Sequence, residues 1–320
     1  MNTAHPRSDH FDGRRFTNPD GVNGLGFASV PRMMREPRAR WPTHVDVTPS
    51  APPPLGDAAA VITFIGHASF LIQTPHGNLL IDPVYSQHAG PFGVLGPRRV
   101  RQPGVRFEDL PAIATVLLSH NHYDHCDVPT LRRIATRWHP QVITPLGNAR
   151  VLRSAGLRRV EERDWWQAAA ADSLSITVTP ARHFSARTPF DRNRALWGGF
   201  VIGVGARKIY FAGDSAYDAC FRQIGERFAP IDLALIPIGA YEPRWFMKYV
   251  HMNPEEAVQA HVDLQAVRSI GMHFGTFQLT AEAIDDPVRG LAEACQRRNL
   301  AAGAFSTLAH GASHIIVPQS

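Results

Sequence analysis

The stretch Ser119-His120-Asn121-His122-Tyr123-Asp124-His125 is the most informative part of this chain, because it places three imidazoles and a carboxylate within six residues. It follows residues 115–118, an apolar run that is typical of a buried strand. Side chains that follow a strand project from the edge of a sheet, where active sites often form. Imidazole nitrogens with one carboxylate suit zinc first, and manganese or iron less well. We therefore predict a metal site at this sheet edge.

The spacing within this stretch allows more than one metal ion. His120 and His122 are two residues apart, so on an extended chain both point the same way and can reach one ion. If the chain then turns into a helix, Asp124 and His125 are aimed differently and can reach a second ion. A hydrogen-bonded core or surface residue explains any single histidine, but it does not explain four ligand-type residues at this spacing after a strand.

Three further ligand-type residues stand where predicted strands end. The strands are predicted at residues 175–179, 208–211 and 269–272, and the residues that follow them are His183, Asp214 and His273. Each of these would more often be an ordinary residue, but together they supply the ligands still missing for two metals. His67, in the first turn, and Asp82, at a strand end, are candidate supporting groups, with plain turn residues as the alternative.

Composition limits the class of protein. The 320 residues are 44% apolar and 19% charged, which suits one large domain or two small ones and excludes global disorder. No apolar run approaches the ~18–20 residues of a membrane span, and the N-terminus shows no signal peptide. Three cysteines are typical of reduced thiols. We expect a cytoplasmic protein, with peripheral contact at the inner face of the membrane as the alternative location.

The net charge is +5, and nearly all the positive charge is arginine. Genome composition explains such a bias, and attraction to phosphate or an anionic membrane surface is the other explanation. Because the chain has no nucleic-acid-binding motif, we expect no nucleic-acid partner.

The chain divides into two parts in this interpretation. Residues 1–57 form an extended arm rich in proline and arginine, which wraps the domain or stays mobile. Residues 58–320 form one domain. Strands are predicted at 61–65, 69–72, 79–81, 115–118, 142–144, 175–179, 200–204, 208–211, 232–236 and 269–272, and helices at 129–138, 254–267 and 287–298. The start Asn253-Pro254-Glu255-Glu256 combines a cap residue, proline at the first position and acids in the first turn.

Several motifs resemble one known family. They are SHNHYDHCD at 119–127, FAGDSAY at 211–217, IPIGAYEPRWFMKY at 236–249, HMNPEEA at 251–257 and HFGTF at 273–277. Together with a Gly-His-Ala at 66–68, they resemble the metallo-β-lactamase superfamily and, within it, the N-acylphosphatidylethanolamine-hydrolysing phospholipase D family. The resemblance covers residues 61–316, and the arm matches only loosely. It implies an α/β (α+β) fold, the αββα metallo-β-lactamase sandwich of two mixed β-sheets flanked by helices.

The resemblance also implies a two-zinc site, with manganese or iron as alternatives. One zinc would be held by His120, His122 and His183, the second by Asp124, His125 and His273, with Asp214 bridging. His251 aligns with a family histidine that matters for activity without binding metal. The family further suggests a homodimer.

The implied reaction is hydrolysis of an N-acylphosphatidylethanolamine-type phospholipid to phosphatidate and N-acylethanolamine by metal-bound hydroxide. Two divalent ions bring four positive charges, and two carboxylates and a hydroxide remove three, so the site favours an anionic phosphodiester. The candidate catalytic residues are Asp124, His251 and Asp214, and the candidate substrate-binding residues are Arg244, Lys248 and Tyr241. The alternatives are a lactonase or general phosphodiesterase of the same superfamily and, more remotely, a non-catalytic protein that binds metal or membrane.

Overall fold

In the computed structural model, which describes residues 5–18 and 20–318, the apolar runs form strands close to the positions predicted from the sequence. The described strands are β1 (Ala60–Gly66), β2 (Ser69–Thr74), β3 (Gly77–Ile81), β4 (Ile113–Leu117), β5 (Gln141–Pro145), β6 (Arg159–Arg163), β7 (Ala168–Ala171), β8 (Leu174–Thr179), β9 (Gly199–Val204), β10 (Arg207–Phe211), β11 (Leu233–Pro237), β12 (Ser269–Met272), β13 (Phe305–Thr307) and β14 (Ser313–Ile316).

The helices are mostly short and lie between strands. They are α1 (Val30–Met33), α2 (Val128–Trp138), α3 (Ala149–Ser154), α4 (Cys220–Phe228), α5 (Arg244–Met247), α6 (Pro254–Asp263) and α7 (Asp286–Arg297), with 3-10 turns at Phe27–Ser29, Pro91–Gly93 and Phe107–Asp109. None of the helices in the described part of the chain combines the length and apolar character that a bilayer span requires.

Two seven-stranded sheets form the centre of the fold. The first has the order β14-β1-β2-β3-β4-β5-β6, and the second has the order β13-β12-β11-β10-β9-β8-β7. In the first sheet β14 to β3 pair antiparallel and β3 to β6 pair parallel. In the second sheet β10 to β13 pair parallel and β7 to β10 pair antiparallel. The predicted pair of mixed sheets is thus confirmed.

Successive side chains on a strand point to opposite faces of its sheet, so each sheet packs on the other sheet with one face and on helices with the other. On β2, Phe70 and Ile72 face the core between the sheets, whereas Leu71 packs outward with Leu131 of α2. On the other side α4, α6 and α7 add apolar side chains to the core that contains the second sheet. The result is the predicted αββα sandwich. Phe70 is fully buried, so its replacement by alanine should cost about 3–5 kcal/mol of folding free energy.

The predicted start of α6 is confirmed, but its predicted end is wrong. The Asn253 side chain accepts a hydrogen bond from the Glu256 backbone N–H, and the Glu256 side chain accepts one from the Asn253 backbone N–H, which completes a capping box. The helix ends at Asp263 rather than near residue 267. Gln265 has a φ of 51°, and this left-handed conformation is incompatible with continued helix.

The N-terminal arm packs on the sandwich with little secondary structure of its own. Trp41 Nε1 donates to Glu282 O at 2.8 Å, and Arg38 Nη2 donates to Leu279 O at 2.9 Å. Phe16 is fully buried in the main core. The division of the chain at residues 57 and 58 stays a prediction.

Candidate metal centre

The ligand-type side chains meet because their strands end at the same edge. In the first sheet β1, β3 and β4 run in one direction, and their last residues lead into His67, Asp82 and the stretch that starts at Ser119. In the second sheet β8, β10 and β12 also run in one direction, and they lead into His183, Asp214 and His273.

The first cluster consists of His120, His122, His183 and Asp214, whose ligand atoms all lie within 4.8 Å of one another. The Nδ1 atom of His122 lies 2.9 Å from His120 Nε2 and 3.2 Å from His183 Nε2. The Oδ2 atom of Asp214 lies 3.6 Å from His183 Nε2 and 3.8 Å from His120 Nε2. Three imidazoles and one carboxylate thus converge on one point.

The second cluster consists of His67, Asp124, His125 and His273, again with ligand atoms within 4.8 Å of one another. The Oδ2 atom of Asp124 lies 3.0 Å from His67 Nε2, 3.3 Å from His273 Nε2 and 3.6 Å from His125 Nε2. The seven predicted ligand residues therefore all lie in the two clusters. His67, predicted only as a supporting group, lies among them.

Asp214 connects the clusters. Its Oδ2 atom lies 3.2 Å from both His125 Nε2 and His273 Nε2, in addition to its contacts with the first cluster. Its Oδ1 atom is buried without a hydrogen-bond partner among the described residues. A buried carboxylate oxygen normally accepts hydrogen bonds, so this one is available to a cation.

Buried polar groups orient the ligands from behind, as metal-binding histidines require. The fully buried Asp82 lies with its Oδ2 atom 2.7 Å from His125 Nδ1, and it accepts a hydrogen bond from Ser119 Oγ at 2.5 Å. Ser119 Oγ also lies 2.9 Å from His120 Nδ1. Asp82 therefore supports one imidazole of each cluster, directly for His125 and through Ser119 for His120.

In the metal-free protein, some of these candidate ligands are neutral and others are charged. Burial lowers the pKa of His183 to about 4, so its imidazole is neutral at pH 7. Burial also opposes the charge of His273, but the carboxylates of Asp214 and Asp124 outweigh it and raise its pKa to about 9. Burial disfavours the Asp214 carboxylate as well, yet His125 and His273 hold the pKa of its carboxyl well below the usual range. The carboxylates are therefore ionised, as cation binding requires.

The donor set fits divalent metal ions. Imidazole nitrogens and carboxylate oxygens suit zinc, and they also accept manganese or iron. The adjacent Cys126 is not among the residues of either cluster, and burial raises the pKa of its thiol to about 12. Its side chain packs instead in the apolar cluster beneath α2.

His251 faces both clusters from the second sheet's side. Its ring centroid lies 5.0 Å from that of His183 and 5.2 Å from that of His273, and its Nε2 atom lies 3.9 Å from Asp214 Oδ2. Its Nδ1 atom is buried without a hydrogen-bond partner among the described residues. Burial lowers the pKa of His251 well below its ordinary value, so the ring is neutral at pH 7.

The three predicted substrate-binding residues differ in their surroundings. Arg244 forms a two-point ion pair with Glu256, at 2.9 and 3.0 Å, and donates a hydrogen bond to His251 O at 3.0 Å. Arg244 is therefore engaged in an internal ion pair. Lys248 is exposed and Tyr241 is half-buried.

Two contributors were missed from the sequence. Asn18 in the arm hydrogen-bonds to the backbone of His183, and the Val250 carbonyl lies 2.8 Å from His183 Nδ1. The arm shows no periodicity that points to a buried residue, and a backbone carbonyl leaves no signature in a sequence. No sequence signal could have identified either contact.

Comparison with known proteins places this chain in a family. A family profile described as β-lactamase superfamily domain matches residues 77–274. The chain is 38% identical over 266 residues to an uncharacterised protein of Mycobacterium tuberculosis, an alignment that covers 79% of this chain and 71% of that protein. It is also 38% identical over 249 residues to N-acyl-phosphatidylethanolamine-hydrolysing phospholipase D 1 of Caenorhabditis elegans, covering 74% of this chain and 70% of that protein.

A solved structure shows the same fold. It is a metallo hydrolase from the archaeon Ignicoccus hospitalis, with a TM-score of 0.61 at 22% identity, and the match covers 81% of this chain and 99% of that one. The chain belongs to the β-lactamase superfamily, as a metallo-hydrolase homologous to N-acyl-phosphatidylethanolamine-hydrolysing phospholipases D.

Proposed function

We propose that this protein is a two-zinc phosphodiesterase that hydrolyses N-acylphosphatidylethanolamine-type phospholipids to phosphatidate and N-acylethanolamine. The observation that carries the proposal is the position of Asp214, a single buried carboxylate oxygen within 3.8 Å of imidazoles from both clusters. Such an arrangement is typical of a ligand shared between two ions. The Caenorhabditis relative is named for the proposed reaction and supports the choice of substrate.

The ligands are proposed as follows. His120, His122 and His183 hold one ion, Asp124, His125 and His273 hold the second, and Asp214 binds both. Divalent ions bound there would supply positive charge for the phosphate oxygens and lower the pKa of a bound water. The protein's own contribution is orientation: Asp82 and Ser119 fix the imidazoles of His125 and His120 so that neither ring must turn when substrate arrives.

The reaction breaks the bond between phosphorus and the oxygen of the N-acylethanolamine. The attacking water supplies the new oxygen on phosphorus, and the departing alkoxide takes up a proton. Charge that develops on the phosphate oxygens then faces a cationic site, whereas a neutral lactone gains less from it. We therefore prefer the phosphodiester to the lactone as the substrate class.

His251 is proposed to contact the leaving oxygen or a phosphate oxygen, because its ring faces both clusters and its Nδ1 atom is unpartnered. Arg244 holds the backbone of His251, while Lys248 and Tyr241 are proposed to contact the phospholipid. If His251 assists the leaving oxygen, His251→Gln will lower turnover of an alkyl diester about 10²-fold or more and spare a nitrophenyl diester, whose leaving group needs no proton. Equal losses on both substrates would contradict that role.

A substrate panel tests the proposed function directly. Purified protein loaded with zinc should be assayed with N-acylphosphatidylethanolamine in detergent micelles, bis-nitrophenyl phosphate and an acyl-homoserine lactone. We expect phosphatidate and N-acylethanolamine from the first, with the highest kcat/KM. Preferential opening of the lactone would favour the lactonase alternative, and turnover of the aryl diester alone would favour a general phosphodiesterase. Peripheral membrane contact and a homodimer stay predictions.

A further inference from the structure

Asn18 belongs to the N-terminal arm, yet it is fully buried against His183, 165 positions further along the chain. Its Nδ2 atom donates a hydrogen bond to His183 O at 3.0 Å, and its Oδ1 atom accepts one from His183 N at 3.2 Å. A side-chain amide that pairs with both backbone groups of one residue acts as a neighbouring strand would. The two bonds hold the peptide units on either side of the His183 Cα atom.

The Asn18 amide is itself fixed in orientation. Its Nδ2 atom also donates to Val22 O at 2.9 Å, and its backbone N–H donates to Asn23 Oδ1 at 2.9 Å. Because two carbonyl oxygens face the same side-chain atom, that atom must be the nitrogen, and the oxygen must face His183 N. The arm thus presents a rigid donor and acceptor pair to His183.

Neighbouring contacts fasten the arm around this point. Asp20 forms an ion pair with Arg182 at 2.7 Å, one residue before His183. On the other side Arg192 Nη2 donates to Asn23 O at 2.6 Å. The segment of the arm near Asn18 is therefore tied to the sandwich on both flanks of His183.

The direction in which the His183 imidazole points depends on how the backbone of His183 is held. Its Nδ1 atom lies 2.8 Å from Val250 O, which directs Nε2 toward the first cluster, 3.2 Å from His122 Nδ1 and 3.6 Å from Asp214 Oδ2. Among the described residues Asn18 is the only hydrogen-bond partner of His183 N and O. The Val250 carbonyl restrains only the ring. The peptide unit before His183 is also held by the hydrogen bond from Ala216 N to Arg182 O at 2.9 Å, whereas the N–H and C=O groups of His183 itself are held by the arm.

We propose that Asn18 is a positioning residue for His183, and that the N-terminal arm is therefore part of the first metal site. The inference rests on the proposed function, because it takes His183 as a ligand of the first ion. Removing the amide leaves two buried backbone groups without partners and loosens the peptide unit that follows His183. Groups that orient metal ligands typically change metal affinity 10–100-fold when they are removed.

The test is zinc binding by the full-length Asn18→Ala variant. Metal-free protein is titrated with zinc against a competing chelator, and crystals grown at limiting zinc give the occupancy of each cluster from anomalous diffraction. We expect about tenfold weaker binding at the first cluster and unchanged binding at the second. The Tm of the metal-free protein separates this effect from a general loss of stability.

Two further variants complete the test. Asn23→Ala leaves the Asn18 amide in place but removes the Asn23 Oδ1 acceptor that fixes Asn18 N at 2.9 Å, so it should lie between wild type and Asn18→Ala, and it serves where Asn18→Ala does not fold. Arg38→Ala removes two arm contacts, to Leu279 O and Thr280 O, without touching His183, and it should bind zinc as wild type does.

Two results would overturn the inference: wild-type occupancy at both clusters in Asn18→Ala, or equal weakening of both clusters in proportion to a lower Tm. Wild-type protein that bound no zinc at either cluster would remove the proposed function, and the inference with it. Two occupied clusters in wild type together with an unaffected Asn18→Ala would remove the inference alone.

Discussion

The two clusters use similar side chains but are held in different ways. In the first cluster, the backbone of His183 exchanges two hydrogen bonds with the Asn18 side chain, and its Nδ1 atom lies 2.8 Å from the Val250 carbonyl. Both partners lie far from His183 in sequence. In the second cluster, His67 and His273 have left-handed backbones with φ values of 58° and 61°. His273 N donates to His67 O at 2.7 Å, so these two residues hold each other.

The left-handed backbones of His67 and His273 are energetically costly. A non-glycine residue in the left-handed region carries a strain of about 1–3 kcal/mol, which persists only where the surrounding structure imposes it. His67 and His273 of the second cluster therefore depend on a backbone conformation set by the fold, whereas His183 of the first depends on the removable Asn18 side chain. Asp214 lies within 3.8 Å of imidazoles from both clusters, so variants are expected to affect one cluster or both.

The largest effect is expected for Asp214→Asn, which keeps the shape of the side chain and removes its charge. Four imidazoles then lose the carboxylate oxygen that lies within 3.8 Å of each of them. We expect both zinc ions to be lost and kcat/KM to fall roughly 10³-fold, about 4 kcal/mol of transition-state stabilisation. Metal analysis and steady-state kinetics measure this, with circular dichroism as a control for folding. Two retained zinc ions would show that Asp214 does not bridge.

An intermediate effect, confined to the second cluster, is expected for His67→Asn. Asparagine tolerates the left-handed backbone but is too short to replace the contact between His67 Nε2 and Asp124 Oδ2 at 3.0 Å. We expect about tenfold weaker zinc binding at the second cluster, with the first cluster unchanged, which is the reverse of the pattern for Asn18→Ala. Weakening of the first cluster by the same factor would contradict the distinction between the two clusters.

The smallest effect concerns the arm that supports the first cluster. His10 Nε2 lies 2.7 Å from Asp164 Oδ1, and its Nδ1 atom lies 2.5 Å from Asp9 Oδ1. Burial opposes the imidazolium, but the two carboxylates outweigh it and raise the pKa of His10 above 6.5. The protonated ring therefore stabilises the folded state fully below pH 6.5, and this contribution is lost as the pH rises through the raised pKa.

We accordingly expect His10→Gln to lower the Tm by about 1–2 °C at pH 5.5 and by less at pH 9. Differential scanning calorimetry of both proteins across this range gives the measurement. A difference in Tm that stayed constant with pH would mean that the His10 contacts act without its charge.

The sequence was sufficient to predict which ligand-type side chains meet wherever those residues follow strands. The spacing of His120, His122, Asp124 and His125 was enough to predict that these side chains lie together. The more distant candidates could be predicted to lie beside them, because parallel strands end at the same edge of a sheet. The sequence was insufficient to predict structure that depends on polar residues or on contacts between distant parts of the chain. Strand β6 has the sequence Arg-Val-Glu-Glu-Arg, without the apolar alternation of a half-buried strand, and it was not predicted. The bond from Asn18 to His183 spans 165 residues and leaves no local pattern.

We propose above that this protein, with two zinc ions bound at these clusters, hydrolyses a phospholipid diester. The most direct measurement is the hydrolysis of N-acylphosphatidylethanolamine by metal-free protein reloaded with increasing zinc. We expect no activity without metal and a rate of hydrolysis that reaches its maximum at two zinc ions per chain. Full activity in the metal-free protein, or two bound zinc ions without release of N-acylethanolamine, would contradict it.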